Sequence, residues 1–166
     1  MTGRNGIELA AAEINQAGGI GGRPLRLLIR DDGDDPATAR RVDEELLAQG
    51  AVALVGHMSS RSGLEAIPLC NERGIVLISP TISSTDWTGK DDYFLRPIGS
   101  NELQGEALAA QALARGHRHA AVFYESTNRA YTLAVAESFS RAFVAGGGAA
   151  SAPRGFATGR NLDYAA

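Results

Sequence analysis

The chain has 166 residues, 44% apolar and 21% charged, with 16 Lys and Arg against 19 Asp and Glu for a net charge of −3. This is an ordinary globular composition, long enough to bury a core, and its charge balance holds no attraction for nucleic acid or an anionic membrane. The longest apolar runs are strand-sized, residues 1–6 hold no signal-peptide core, and the one cysteine, Cys70, excludes an internal disulfide framework and a cysteine-built zinc site.

Residues 6–15 read as a short helix with Ile7, Ala10, Ala11 and Ile14 on one face, stopped by Gly18-Gly19. After the turn Gly21-Gly22-Arg23-Pro24, residues 25–30 are predicted to form a strand. An acidic loop, 31–35, ends in Asp35-Pro36, an N-cap followed by a proline at the first helical position. The helix it opens runs to about residue 49, buries Ala39, Val42 and Leu46, and closes at Gly50. Residues 51–55 are nearly all apolar, as in a strand covered on both faces. A helix over 62–73 turns Leu64, Ile67 and Cys70 inward, with a kink expected at Pro68. A buried strand over 75–78, a polar loop over 79–92 and a short strand over 93–96 follow. Ser100 caps a helix to about residue 115, a strand covers 119–124, and a helix covers 130–145 and ends on Gly146-Gly147-Gly148. The tail, 149–166, is weakly patterned, with room for one more strand.

Strands alternating with helices predict an α/β fold, a doubly wound parallel sheet with helices on both faces. Ligands in such sheets bind beyond the carboxyl ends of strands, here the loops after Val55, Ile78 and Tyr124. Gly19-Ile20-Gly21-Gly22 lacks the last glycine of a dinucleotide fingerprint and follows a helix, and no Walker A sequence or nucleophile elbow is present. Asp31, Asp32, Asp34 and Asp35 lack the glycine and glutamate spacing of a calcium loop and read as a solvated loop with a cap. His117 and His119 read as surface or packing residues, and Cys70 as inert core. No metal and no cofactor is expected.

Two hydroxyl-rich loops remain, Gly56-His57-Met58-Ser59-Ser60 after one strand and Ser79-Pro80-Thr81-Ile82-Ser83-Ser84-Thr85 after the next. The first runs into a helix N-terminus, where free N–H groups and the helix dipole favour a carboxylate or phosphate. The second offers hydroxyls and carbonyls that suit an ammonium group. Side by side they form a seat for a zwitterion; equally, the serines can be caps and the second loop a simple turn.

The chain resembles the type I periplasmic binding proteins of the branched-chain amino acid transport family, the leucine/isoleucine/valine-binding type. The resemblance rests on Gly6-Ile7-Glu8-Leu9-Ala10 through Asn15, on Ala17-Gly18-Gly19-Ile20-Gly21-Gly22-Arg23-Pro24, and on Asp31-Asp32 with Asp35-Pro36-Ala37-Thr38-Ala39. It continues through Val55-Gly56-His57 with Ser60, Asn71-Glu72 with Gly74-Ile75, Leu77-Ile78-Ser79-Pro80, Phe94-Leu95-Arg96 and Gln104-Gly105. It implies two α/β lobes with a ligand clamped between them. Residues 1–99 would be the first lobe without its usual first strand, and 100–166 the crossing helix and opening of the second, so that the chain is a fragment of the family fold. By resemblance Ser60 holds the ligand carboxylate through its hydroxyl and N–H, the Thr81 carbonyl takes the ammonium, Ser83 contacts both, and Tyr131 closes from the second lobe. Ser59, Ser79, Trp87 and Arg129 are further candidates, Arg129 competing with Tyr131 and favouring an acidic ligand.

The leading function is therefore reversible, non-enzymatic capture of an amino acid or related zwitterion as the solute-binding component of an ABC transport system. It implies a membrane permease as partner, a periplasmic or extracytoplasmic location and, from an open sheet, self-association. The alternative is the ligand-sensing domain of a receptor or regulator with the same fold. An enzyme would need an activated nucleophile beside a base, and the sequence shows no such pair.

Overall fold

The structure, a computed structural model, describes residues 2–158. Helix α1 covers Thr2–Gln16 and begins earlier than its periodicity indicates. Of its predicted inner face only Ala11 is buried; Ala10 and Ile14 are exposed. Residues 25–30, predicted as a strand, join no ladder. An extended segment becomes a strand only by pairing, and here the Asn15 side chain takes up the N–H and carbonyl of Leu25 instead, at 2.6 and 2.9 Å.

Helix α2, Pro36–Ala48, starts as read: the Asp35 carboxylate accepts the Thr38 N–H at 2.9 Å. Ala39 and Val42 are buried on its inner face, joined unexpectedly by Asp43. Strand β1 (Ala53–Val55), helix α3 (Ser60–Arg73) and strand β2 (Val76–Ile78) form a parallel βαβ unit, with Ala53 opposite Val76 and Val55 opposite Ile78. Helix α3 is closed by Gly74 at φ 63°, a left-handed cap that suits glycine. Strand β3, Phe94–Leu95, adds parallel to β2, giving the order β1-β2-β3.

Alternation along these strands sends Leu54, Leu77 and Phe94 to one face, where they pack with Ala66, Ile67 and Cys70 of α3 and with Ile82. On the other face Val55, Ile78 and Leu95 are 53%, 38% and 53% exposed. Coverage of residues 51–55 on both faces is thus corrected: among the described residues one face of this sheet is packed. Leu64, expected inward, is also exposed.

Helix α4 (Asn101–Ala114) lies against helix α5 (Arg129–Ala145). Ser100 sits at the cap position without a capping hydrogen bond, while the Asn101 N–H donates to the Ser83 carbonyl at 2.8 Å and ties α4 to the loop after β2. The predicted strand over 119–124 divides into β4 (His119–Ala120) and β5 (Phe123–Glu125). They pair in parallel with β6 (Ala149–Ala150) and β7 (Arg154–Phe156), two strands where the tail was expected to hold one. Between the two ladders the register shifts by one residue, from His119 opposite Ala149 to Phe123 opposite Arg154, and there the Val122 N–H is accepted by the Ser151 hydroxyl at 3.0 Å instead of a backbone carbonyl. The rest of the tail, 159–166, lies outside the described residues.

Candidate functional site

The loop from β1 to α3 and the loop after β2 lie next to each other, as parallel pairing of the two strands requires. Ser59 is the N-cap of α3; its hydroxyl accepts the Ser62 N–H at 3.2 Å and donates to Asp34. Ser60 is the first helical residue, where N–H groups have no partner within the helix. The Ser83 N–H points at the Ser60 hydroxyl oxygen at 3.4 Å. Both serines are almost fully buried, at 2% and 1% exposure, and the Ser83 hydroxyl has no hydrogen-bond partner. A buried, unpaired hydroxyl costs roughly 1–3 kcal/mol, which a polar ligand atom would offset.

Above these serines opens a cleft of about 260 Å³. Met58, Ser59 and Ser60 form one side, Pro80, Thr81 and Ser83 the next, and Ile98, Gln104, Asn128 and Tyr131 the far wall. The four leading sequence candidates, Ser60, Thr81, Ser83 and Tyr131, all line it, and Ser59 joins them. The Thr81 hydroxyl donates to the Met58 carbonyl at 2.9 Å and locks one loop onto the other. The Tyr131 hydroxyl donates to Gln104 Oε1 at 2.9 Å.

The remaining candidates lie elsewhere. The Ser79 hydroxyl donates to the His57 carbonyl at 2.8 Å and accepts the Ile82 N–H at 2.9 Å, so it shapes the turn. Trp87, in a 3₁₀ turn over Thr85–Trp87, packs against the core with the Lys90 ammonium 4.4 Å from its ring centre. Arg129 is exposed at the start of α5 and is not in the cleft lining.

Sequence reasoning did not single out Gln104 and Asn128. Asn128 holds the N-cap position of α5 yet makes no capping bond, and its buried Oδ1 is unpartnered. An asparagine that neither caps its helix nor meets another group is the signal, and it needs coordinates to be seen. A second missed feature lies behind the serines: His57 Nδ1 is 2.5 Å from Asp32 Oδ2, and Nε2 is 2.9 Å from Asp43 Oδ2. Its two ring nitrogens point to carboxylates on opposite sides, so the three groups do not converge on one point. Cys70, on the inner face of α3, is pushed up to about 12 by burial and the nearby Asp43 charge, which leaves it an inert thiol.

The arrangement pairs hydrogen-bond donors at a helix N-terminus with hydroxyl groups and a mixed wall, which is chemistry for holding a small charged molecule. The Leu-, Ile-, Val-, Thr- and Ala-binding protein of Pseudomonas aeruginosa is 32% identical over 103 residues, 61% of this chain and 28% of that protein. A substrate-binding protein of an ABC transporter from Desulfitobacterium hafniense, solved with Leu, aligns at a TM-score of 0.77 and 27% identity over 93% of this chain and 46% of its own. The branched-chain amino acid transporter substrate-binding protein LivJ of Streptococcus pneumoniae, solved with isoleucine, aligns at 0.86 and 25% identity over 98% of this chain and 46% of its own. The chain thus spans less than a third of the curated relative and less than half of either solved one. These likenesses bear out the α/β, periplasmic-binding-protein type I reading of the fold. The family model described as periplasmic binding protein matches residues 1–166, and the chain belongs to that family.

Proposed function

We propose that this chain captures an amino acid or related small zwitterion without chemistry, as part of the solute-binding component of an ABC transport system. The observation that carries the reading is the buried pair Ser60 and Ser83, one at the N-terminus of α3 and the other with an unspent hydroxyl, at the base of one cleft. Ser60 and the first N–H groups of α3 receive the ligand carboxylate. Thr81 and Ser83 receive the ammonium, and Tyr131 closes the far side. Residues 1–99 act as one lobe and 100–166 as the start of the second. Relatives that bind amino acids support the ligand class. The same likeness supports a membrane permease as partner and a periplasmic or extracytoplasmic setting, and the exposed face at Val55, Ile78 and Leu95 supports self-association.

A thermal-shift panel tests the reading. The twenty amino acids are compared with their decarboxylated amines and deaminated acids. A zwitterion seat raises the melting temperature with one or a few intact amino acids and with neither truncated series. Stabilisation by the amines as strongly as by the amino acids would remove the carboxylate role.

A further inference from the structure

Behind the cleft serines, three titratable side chains are locked together, and the proposed capture of a zwitterion does not use them. His57 lies in the loop between β1 and α3, two residues before the Ser59 cap. Its ring bridges Asp32 of the acidic loop, at 2.5 Å, and Asp43 of α2, at 2.9 Å. His57 and Asp43 are 9% and 4% exposed at the side chain, Asp32 22%. A neutral imidazole has one N–H, and ionised carboxylates only accept. Satisfying both contacts therefore requires both ring nitrogens to carry protons.

The carbonyl of the same residue accepts from the Ser79 hydroxyl at 2.8 Å and the Thr81 hydroxyl at 3.4 Å. Asp34, on the acidic loop, accepts from the Ser59 hydroxyl. The acidic loop, α2 and both cleft loops thus meet at His57. We propose that His57, as an imidazolium clamped between Asp32 and Asp43, is the positioning residue that holds the N-terminus of α3 in its ligand-binding geometry and makes capture of the zwitterion fall off at alkaline pH. The pH dependence of capture rests on the function proposed above; the clamp itself does not.

Loss of the ring proton leaves one carboxylate without a donor. If that is Asp43, a buried charge stands unpaired and the loop must move to rehydrate it. The cluster also goes from one net negative charge to two, close to the seat of a carboxylate. Burial opposes charge on the ring, but the hydrogen bonds and charge of Asp43 and then Asp32 outweigh it, and the His57 midpoint is raised. Asp32 is held ionised: burial works against it, but hydrogen bonds from the Asp34 N–H and His57 prevail.

Other ionisable groups surround the ring. Asp31, Asp34 and Asp35 are carboxylates, Arg61 of α3 faces Asp35, and the Cys70 thiol is pushed up to about 12. As pH rises through the raised His57 midpoint, the clamp loses its positive charge at the ring.

NMR of the full chain with isotope-labelled histidine reads the ring directly. The His57 ring nitrogens should show the imidazolium signature at pH 7, with a midpoint above the ordinary histidine value. Leucine affinity by calorimetry should decline in step with that midpoint. Protection from exchange of the Ser62 and Gly63 amides, both hydrogen-bonded to Ser59, should decline with it too, by about tenfold or more once the clamp is neutral. Asp43→Asn should lower the His57 midpoint by about one pH unit and carry the protection curve with it. A neutral His57 ring at pH 7, or protection that ignores the His57 midpoint, overturns the proposal. So does leucine affinity that stays flat through the midpoint. Leucine that fails to bind at any pH, with the ring and amide curves as predicted, supports the clamp and counts against the function proposed above.

Discussion

Single carboxylates in this chain are committed to local structure, and each commitment has a pH signature. Asp35 caps α2, and its carboxyl is held below the usual range by hydrogen bonds from Thr38. Glu125, before α5, accepts from the Thr127 hydroxyl and the N–H groups of Thr127 and Asn128, which bring it down to about 2. Asp32 is also lowered, against the effect of its burial. A carboxyl with a depressed folded value adds stability above its unfolded value and loses it as pH falls through the folded one. Denaturant midpoints should decline from about pH 4 towards pH 2 as these carboxyls take up protons, and should decline again on the alkaline side as pH rises through the raised His57 midpoint. Asp32→Asn should flatten part of the acid decline. Glu125 and Asp35 are only partly buried and remain solvent-screened, so their share is smaller. A wild-type profile that is level down to pH 2 would show that these hydrogen bonds add nothing.

Between elements, α4 lies close against α5 at Gly105. A methyl group on Gly105 would sit 2.6 Å from both the Phe139 nitrogen and the Val135 carbonyl oxygen, backbone atoms that cannot turn aside. The neighbouring Ser138 hydroxyl donates to the Glu102 carbonyl at 2.7 Å and depends on the same spacing. Gly105→Ala should therefore destabilise the fold by about 1–3 kcal/mol despite its better helix propensity. At Gly63 an added methyl meets the Cδ1 atom of Ile82 at 2.9 Å, the end of a rotatable side chain, so Gly63→Ala should cost less. Urea unfolding of the two variants gives the order, and equal stability at 105 would mean that the helices are free to separate. Helices were legible because caps are local: Asp35-Pro36 at the start of α2 and Gly50 just past its end announce themselves within a few residues. The strand expected over 25–30 was not, because apolar spacing cannot say whether a partner lies alongside. Nor could it say that Val55, Ile78 and Leu95 lie on an uncovered face.

Across the whole molecule, the candidate site joins pieces that sequence order keeps apart. The serine loops were legible because each follows a strand, and parallel neighbours bring their carboxyl ends together. The far wall, with Gln104 and Asn128, was not, because it comes from α4 and the start of α5. His57 was invisible for a related reason: its partners stand 25 and 14 positions away, and neither spacing marks a motif. One titration tests most directly whether Ser60 and the α3 N-terminus hold a carboxylate. Leucine and leucine methyl ester are titrated calorimetrically into the wild-type protein and Ser60→Ala. The account predicts that the ester binds weakly or not at all, and that Ser60→Ala loses about 1.5–3 kcal/mol for leucine. Equal affinity for acid and ester, with Ser60→Ala unchanged, would contradict it.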